Sequence, residues 1–179
     1  MRMQGILFSK EECDKLWNLH IGREWILSKA YDPVTHEIAP NIKHQLRKEC
    51  WIDIDDAWTD GTPTMKDIIL SKVPWIKEDF DIGQTKLIQM DKGDFLHKHT
   101  DSGTTKTLAR REYTMIIQLA EPDEYTGGDF MLGDYCLPKD RGFCCLFDGG
   151  TQLHEVKKVL SGNRRSWITW MPKESLTIL

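Results

Sequence analysis

Asp91-Lys-Gly-Asp-Phe-Leu-His-Lys-His-Thr-Asp101 is the stretch on which the fold turns. Lys92-Gly93 is a turn signal, and residues 95–99 follow it as a short strand. In a strand, residues two apart point the same way. His99 and Asp101 would then project an imidazole and a carboxylate into one space, with His97 on the same face. To either side lie more runs of this kind, at 85–90, 113–119, 129–132, 143–147, 153–159 and 165–170. The breaks between them hold Gly127-Gly128, Asp140-Arg141-Gly142, Gly149-Gly150 and Ser161-Gly162-Asn163. Many short strands with glycine-rich turns predict a sandwich or barrel.

Upstream the pattern is different. Ser9 can cap a helix with Glu12 three residues on, and Cys13, Leu16 and Leu19 recur at helical spacing. Strands are expected at 25–31 and 44–54. Thr64 can cap a second helix running from Met65 to about Phe80, kinked or divided by Pro74. The forecast is mainly β with N-terminal helices: helical support over about 1–82 packed on a β core over about 83–172, one domain across 1–179.

Composition narrows the setting. A net charge of -4 and an apolar fraction of 40% fit a soluble globular chain and give no broad basic surface for nucleic acid. No segment is apolar enough to cross a membrane, and the opening residues do not read as a secretory signal. Cys13, Cys50, Cys136, Cys144 and Cys145 are odd in number and lack zinc-site spacing. They are read as small apolar residues in a reducing, cytoplasmic setting. Oligomeric state is not legible.

A third ligand must come from elsewhere. His154 begins a later run, and two histidines with one carboxylate on one face of an ion leave the opposite positions open. That is the non-haem iron(II) oxygenase arrangement. A His-x-Asp pair also arises by chance on solvated strands, so the downstream context matters. If Leu160-Ser161-Gly162 were a three-residue hairpin loop, His154, Lys158, Arg164, Ser166 and Ile168 would share one face. Arg164 would then lie on the same surface as the metal ligand, able to grip a carboxylate in a bidentate fork, with Ser166 assisting.

From about Leu87 to Trp170 the chain resembles the iron(II)- and 2-oxoglutarate-dependent oxygenases of the prolyl 4-hydroxylase type, most closely the PKHD-type hydroxylases. The pieces come in that family's order. They are Gly93 to His99-Thr-Asp101, Thr114 to Gly127-Gly128-Asp129, Gly142-Phe-Cys-Cys-Leu-Phe147, and His154-Glu-Val followed by Val159, Gly162, Arg164 and Trp170. The N-terminal Phe8 to Leu16 resembles its opening helix. The resemblance implies a double-stranded β-helix (jelly-roll, cupin-like) core. It also implies Fe(2+) on His99, Asp101 and His154, with Arg164 taking the 2-oxoglutarate carboxylate. It further implies O2 as co-substrate and L-ascorbate, often used in that family, as the reductant that rescues oxidised iron. One departure stands out: where relatives often carry a 2-oxoglutarate-binding tyrosine, this chain has Met90. Tyr113, Thr114 or Gln118 are the candidates to compensate.

The activity so implied is hydroxylation of a C–H bond, with release of succinate and CO2. The substrate expected is a prolyl residue in a peptide or protein. The alternatives are a nucleobase or small metabolite as substrate, or a catalytically silent metal-binding barrel. The polar stretch Ser102 to Arg111 reads as a substrate lid, and Trp58 as an aromatic platform for a proline ring.

Overall fold

The computed structural model describes residues 3–31, 38–39, 45–55, 63–74, 76–77, 84–103 and 106–177. Seven strands form the larger sheet, in the order β1 (Met3–Ile6), β13 (Phe143–Phe147), β9 (Tyr113–Gln118), β16 (Arg164–Met171), β7 (Gln84–Met90), β6 (Lys48–Ile52) and β2 (Ile26–Leu27). Five form the smaller, in the order β12 (Tyr135–Cys136), β11 (Phe130–Leu132), β14 (His154–Val156), β8 (Phe95–His99) and β5 (Gln45–Leu46). Two short ladders complete the set: β10 (Tyr125–Gly127) with β15 (Val159–Gly162), and β3 (Ala30–Tyr31) with β4 (Ile38–Ala39). Pairings within the two larger sheets are antiparallel. This is the jelly-roll core expected, with helices against one side.

Period-2 alternation sorts the larger sheet into two faces, both covered. Leu87, Met115, Ile117, Cys144, Leu146, Trp167 and Met171 turn outward, onto a cluster shared with the helices. Ile88, Met90, Ile116, Phe143, Cys145, Phe147, Ile168 and Trp170 turn inward, onto Leu96, Phe130, Leu132 and Val156 of the smaller sheet. The two longer helices begin with reciprocal capping boxes. Ser9 and Glu12 cap α1 (Lys10–Asn18), and Thr64 and Asp67 cap α2 (Met65–Lys72). Leu16 of α1 and Ile69 of α2 are fully buried; each contributes about 1.5–3 kcal/mol by that burial.

Several expectations change. The second helix stops at Lys72, with Val73 leaving helical geometry, rather than passing Pro74. A proline clashes with a helical residue before it, so the turn ends early. The strands expected at 25–31 and 44–54 form as β2, β3, β5 and β6, and Met3–Ile6 adds one that was not foreseen; β1, β6 and β5 pair with β13, β7 and β8 and cover edges that would otherwise expose unpaired backbone groups. The supposed hairpin between His154 and Arg164 does not form. β14 pairs with β8 and β11, β15 crosses to β10, and β16 pairs with β7 and β9. Trp58 and His44 lie outside the described residues.

Candidate metal centre

His99 ends β8, Asp101 follows it by two residues, and His154 opens β14, where it pairs directly with His99. The ligand atoms of the three lie within 4.8 Å of one another. His154 Nε2 is 3.3 Å from Asp101 Oδ2 and His99 Nε2 is 3.5 Å from Asp101 Oδ1. One imidazole therefore stands at each carboxylate oxygen.

The backbone selects the tautomers. His99 Nδ1 lies 2.8 Å from the His97 carbonyl and His154 Nδ1 lies 2.9 Å from the Gln152 carbonyl. A carbonyl only accepts, so each Nδ1 carries the proton and each Nε2 offers its lone pair inward. His154 is held further by Phe130, stacked at 5.8 Å, and Phe147, edge-on at 5.0 Å. Burial pushes the Asp101 carboxyl up, but with no ion between them His154 and His99 can instead donate from Nε2, and those hydrogen bonds outweigh burial and hold the group far below the usual carboxylate range; a metal ion would take the place of the Nε2 protons. Thr114 Oγ1 donates to Asp101 Oδ2 at 2.5 Å, and Asp101 N donates to the Gly149 carbonyl at 2.8 Å. Gly149 must be small: a Cβ there would sit 1.9 Å from Thr114 Oγ1 and 2.8 Å from Asp101 Oδ2.

His97 is not on this face. Between β14 and β8 the pairings His154–His99 and Val156–Leu96 set two steps on one strand against three on the other. That bulge breaks the alternation. Leu96 and His99 both face the cavity, while His97 lies exposed against Phe95.

The same cavity is lined on its far wall by Arg164, Ser166, Met90, Ile88, Ile116 and Ile168 of the larger sheet. Arg164 is 1% exposed. Its Nη1 donates to Ser166 Oγ at 3.1 Å and Nη2 to Gln118 Oε1 at 3.1 Å; Met90 Sδ lies 3.9 Å from Nη1. Its Nε is buried with no acceptor, and no carboxylate pairs with it among the described residues. Burial pulls its pKa down, and the nearby Tyr125 phenol acts the other way. An enclosed guanidinium lacking a counter-charge is costly unless an anion arrives.

So Arg164, Ser166 and Gln118 gather at one end of the cavity and His99, Asp101 and His154 at the other. Tyr113 does not join them. Parity in β9 turns Tyr113 outward with Met115 and Ile117, while Thr114, Ile116 and Gln118 turn inward. Tyr113 is therefore corrected as a co-substrate candidate, and Thr114 serves the Asp101 carboxylate instead. Arg47, which also lines the cavity, was invisible to strand periodicity because it sits at the switch from β5 to β6.

Residues 85–172 match the family model described as the 2OG-Fe(II) oxygenase superfamily. These residues are a 2OG-Fe(II) oxygenase domain. The oxygenase domain contains every residue of the candidate centre except Arg47. Its donors fit iron(II): two neutral imidazoles and one ionised carboxylate, fixed from outside and gathered on one side.

A PKHD-type hydroxylase of Psychrobacter sp. (strain PRwf-1) is 29% identical over 115 residues, which is 61% of this chain and 42% of that protein. The chain thus spans less than half the length of this curated relative. Among solved structures, a Trichoplax adhaerens prolyl hydroxylase in complex with a hypoxia inducible factor peptide superposes with TM-score 0.67 at 15% identity, over 96% of this chain and 83% of that one. A Pseudomonas putida prolyl-4-hydroxylase gives TM-score 0.63 at 18% identity, over 96% and 92%. At these identities the structural likeness speaks for the fold of the oxygenase domain.

Proposed function

We propose that the chain is an iron(II)- and 2-oxoglutarate-dependent dioxygenase that hydroxylates a C–H bond of a prolyl residue in a peptide or protein. What carries the reading is the pairing, in one cavity, of a buried guanidinium without a counter-charge and a His/Asp/His cluster. A dianionic keto acid answers both needs. One carboxylate meets Arg164, and the keto-acid end reaches the metal. Bound iron supplies the oxidising chemistry, coupling 2-oxoglutarate decarboxylation to succinate with C–H hydroxylation.

The chain's own residues do the positioning. His99, Asp101 and His154 would hold the ion from one side and leave the other open. Arg164 would orient the keto acid, with Ser166 and Gln118 fixing the guanidinium plane. Met90 offers only a weak sulfur acceptor where relatives often have a tyrosine, so affinity for the co-substrate falls chiefly to Arg164. Ile88, Ile116 and Ile168 exclude water between the two ends. The prolyl substrate rests on the structural neighbours described as prolyl hydroxylases. Ascorbate is the reductant proposed to keep the iron ferrous. Five free thiols favour a reducing compartment such as the cytoplasm. No helix among the described residues is long and apolar enough to cross a membrane.

The test is succinate release from 2-oxoglutarate with iron and ascorbate, first without substrate and then with a proline-peptide library read by mass spectrometry. Wild type is expected to make succinate and to add one oxygen to some peptides. His99→Ala and Asp101→Ala should lose both succinate and metal binding. Arg164→Ala should lose keto-acid affinity while still binding metal. Succinate formation undiminished in Asp101→Ala would reject the centre.

A further inference from the structure

Arg164 has a neighbour that strand alternation did not single out. Tyr125 opens β10, where it pairs with Gly162, two residues before Arg164. It is 3% exposed. Lys139 stands on one face of its ring, Nζ 5.0 Å from the centroid, and is itself held by the Gly127 carbonyl at 2.6 Å and Asp129 Oδ1 at 2.7 Å. Gly128 permits the close approach to Arg164. A Cβ there would lie 3.2 Å from Tyr125 Cε2 and 3.2 Å from Arg164 Cδ. The bare α-carbon lets the ring and the arginine stem close on each other, so Gly128 does more than turn the chain.

Burial lowers the Arg164 pKa, and the Tyr125 phenol opposes it through charge and through hydrogen bonding, so the phenol oxygen stands at the guanidinium. A guanidinium has no lone pair, and the phenol can only accept from it. The same holds for Ser166 Oγ, which takes Nη1, and Gln118 Oε1, which takes Nη2. Each of these acceptors keeps a donor of its own: O–H in Tyr125 and Ser166, the amide N–H groups in Gln118. No hydrogen bond among the described residues gives the Tyr125 proton an acceptor. Nε of Arg164 is buried with no acceptor either. Such a ring of donors lacks a group with lone pairs on several sides, and a carboxylate is one.

We propose that Tyr125 is a binding residue for the co-substrate: its hydroxyl donates to the distal carboxylate beside Arg164, supplying from β10 what relatives often supply with a tyrosine at the position of Met90. The proposal rests on the function given above and deepens it at the co-substrate end. Met90 enters from β7, with its Sδ 3.9 Å from Arg164 Nη1, and offers no proton there. The missing donor thus comes from a different wall of the same site. A neutral hydroxyl adds no charge, so it discriminates by whether an acceptor faces it. A buried donor left without its acceptor costs free energy, which sets a dicarboxylic keto acid above one that ends in a methyl group.

The experiment is anaerobic calorimetry of the iron(II)-loaded protein with 2-oxoglutarate and with 2-oxovalerate, which carries a methyl group in place of the distal carboxylate. Wild type is expected to prefer 2-oxoglutarate strongly. Tyr125→Phe keeps the ring and removes the hydroxyl. Its affinity for 2-oxoglutarate should fall roughly tenfold or more, the worth of one hydrogen bond to a charged group, while that for 2-oxovalerate stays unchanged. Equal losses for the two acids would make Tyr125 a structural support, and an unmoved 2-oxoglutarate affinity would make it a bystander; either overturns the proposal alone. A wild type that binds both acids alike would remove the keto-acid reading and the proposal with it. Should Tyr125→Phe not fold, wild type labelled with fluorotyrosine and loaded with zinc decides by fluorine NMR. Of its four tyrosine signals, the one that persists when Tyr31, Tyr113 and Tyr135 are each replaced by Phe should move with 2-oxoglutarate and not with 2-oxovalerate. A signal that ignores 2-oxoglutarate, or follows both acids equally, overturns the assignment.

Discussion

Thr114 shows how much one hydroxyl can govern. Its 2.5 Å hydrogen bond fixes one Asp101 oxygen, and Gly149 leaves the room for it. Such supports hold a ligand's lone pairs at the angle a metal needs, and their loss typically costs about 10–100-fold in metal affinity. Thr114→Val keeps the shape and removes the donor. Cobalt(II) or iron(II) affinity, followed by titration, is expected to fall by that range, while Thr114→Ser stays near wild type. Unchanged affinity in the valine variant would mean that the two imidazoles alone position the carboxylate. The residue itself is plain in the sequence. Its partner is not, because the Thr114–Asp101 contact needs β9 to lie beside the turn that follows β8.

Among the elements, the junction of β1 and α1 is the most dependent on backbone detail. Leu7 N and Phe8 N both donate to the Gly142 carbonyl, at 3.1 and 3.2 Å, and Gly142 N donates to the Gln118 carbonyl at 2.8 Å. Gly142 has φ +83°, and a Cβ there would lie 1.9 Å from the Phe8 carbonyl oxygen. Gly142→Ala is therefore expected to lose at least ~2 kcal/mol in urea unfolding. Ser9→Ala, one residue beyond the same junction, removes only a helix cap and should lose ~1 kcal/mol. Equal losses would show that the junction relaxes around the added methyl. The cap was legible because Ser9 and Glu12 are three residues apart. Gly142 was legible only as a turn, since what it clamps is distant in the chain.

Packing on both faces of the larger sheet also decides thiol chemistry: Cys13, Cys50 and Cys144 lie in the layer shared with the helices and Cys145 lies between the sheets. Four of the five cysteines are buried and Cys136 is exposed. Burial pushes the Cys13 thiol up to about 11 and the Cys145 thiol up to about 12, with Cys144 higher still. Thiolate is the reactive form, so these groups should be inert at neutral pH. A thiol-disulfide reagent is expected to label one cysteine in the native protein and all five in concentrated guanidinium chloride. Rapid labelling of a second site before unfolding would mean that one of these layers opens locally, at β13 if the site is Cys144 or Cys145 and at α1 or β6 if it is Cys13 or Cys50.

Strand positions, helix caps and the chemical types of the metal donors followed from local signals: turn glycines, spacing of three and alternation of two. His99, Asp101, His154 and Arg164 could be named because residue type and order suffice for that. Their meeting could not be derived the same way. The imagined hairpin set Arg164 beside His154 within one sheet, whereas β16 and β14 face each other from different sheets. His97 was placed on the ligand face by parity, which a bulge overruled, and Tyr113, named only as a side chain able to stand in for the missing tyrosine, is turned away by the face that β9 buries. Arg47 enters the cavity only because the chain changes sheets there. Alternation is a property of a single strand. Which face is buried, which strands pair, and where a bulge shifts the count are set by hydrogen bonds and apolar burial between segments far apart along the chain.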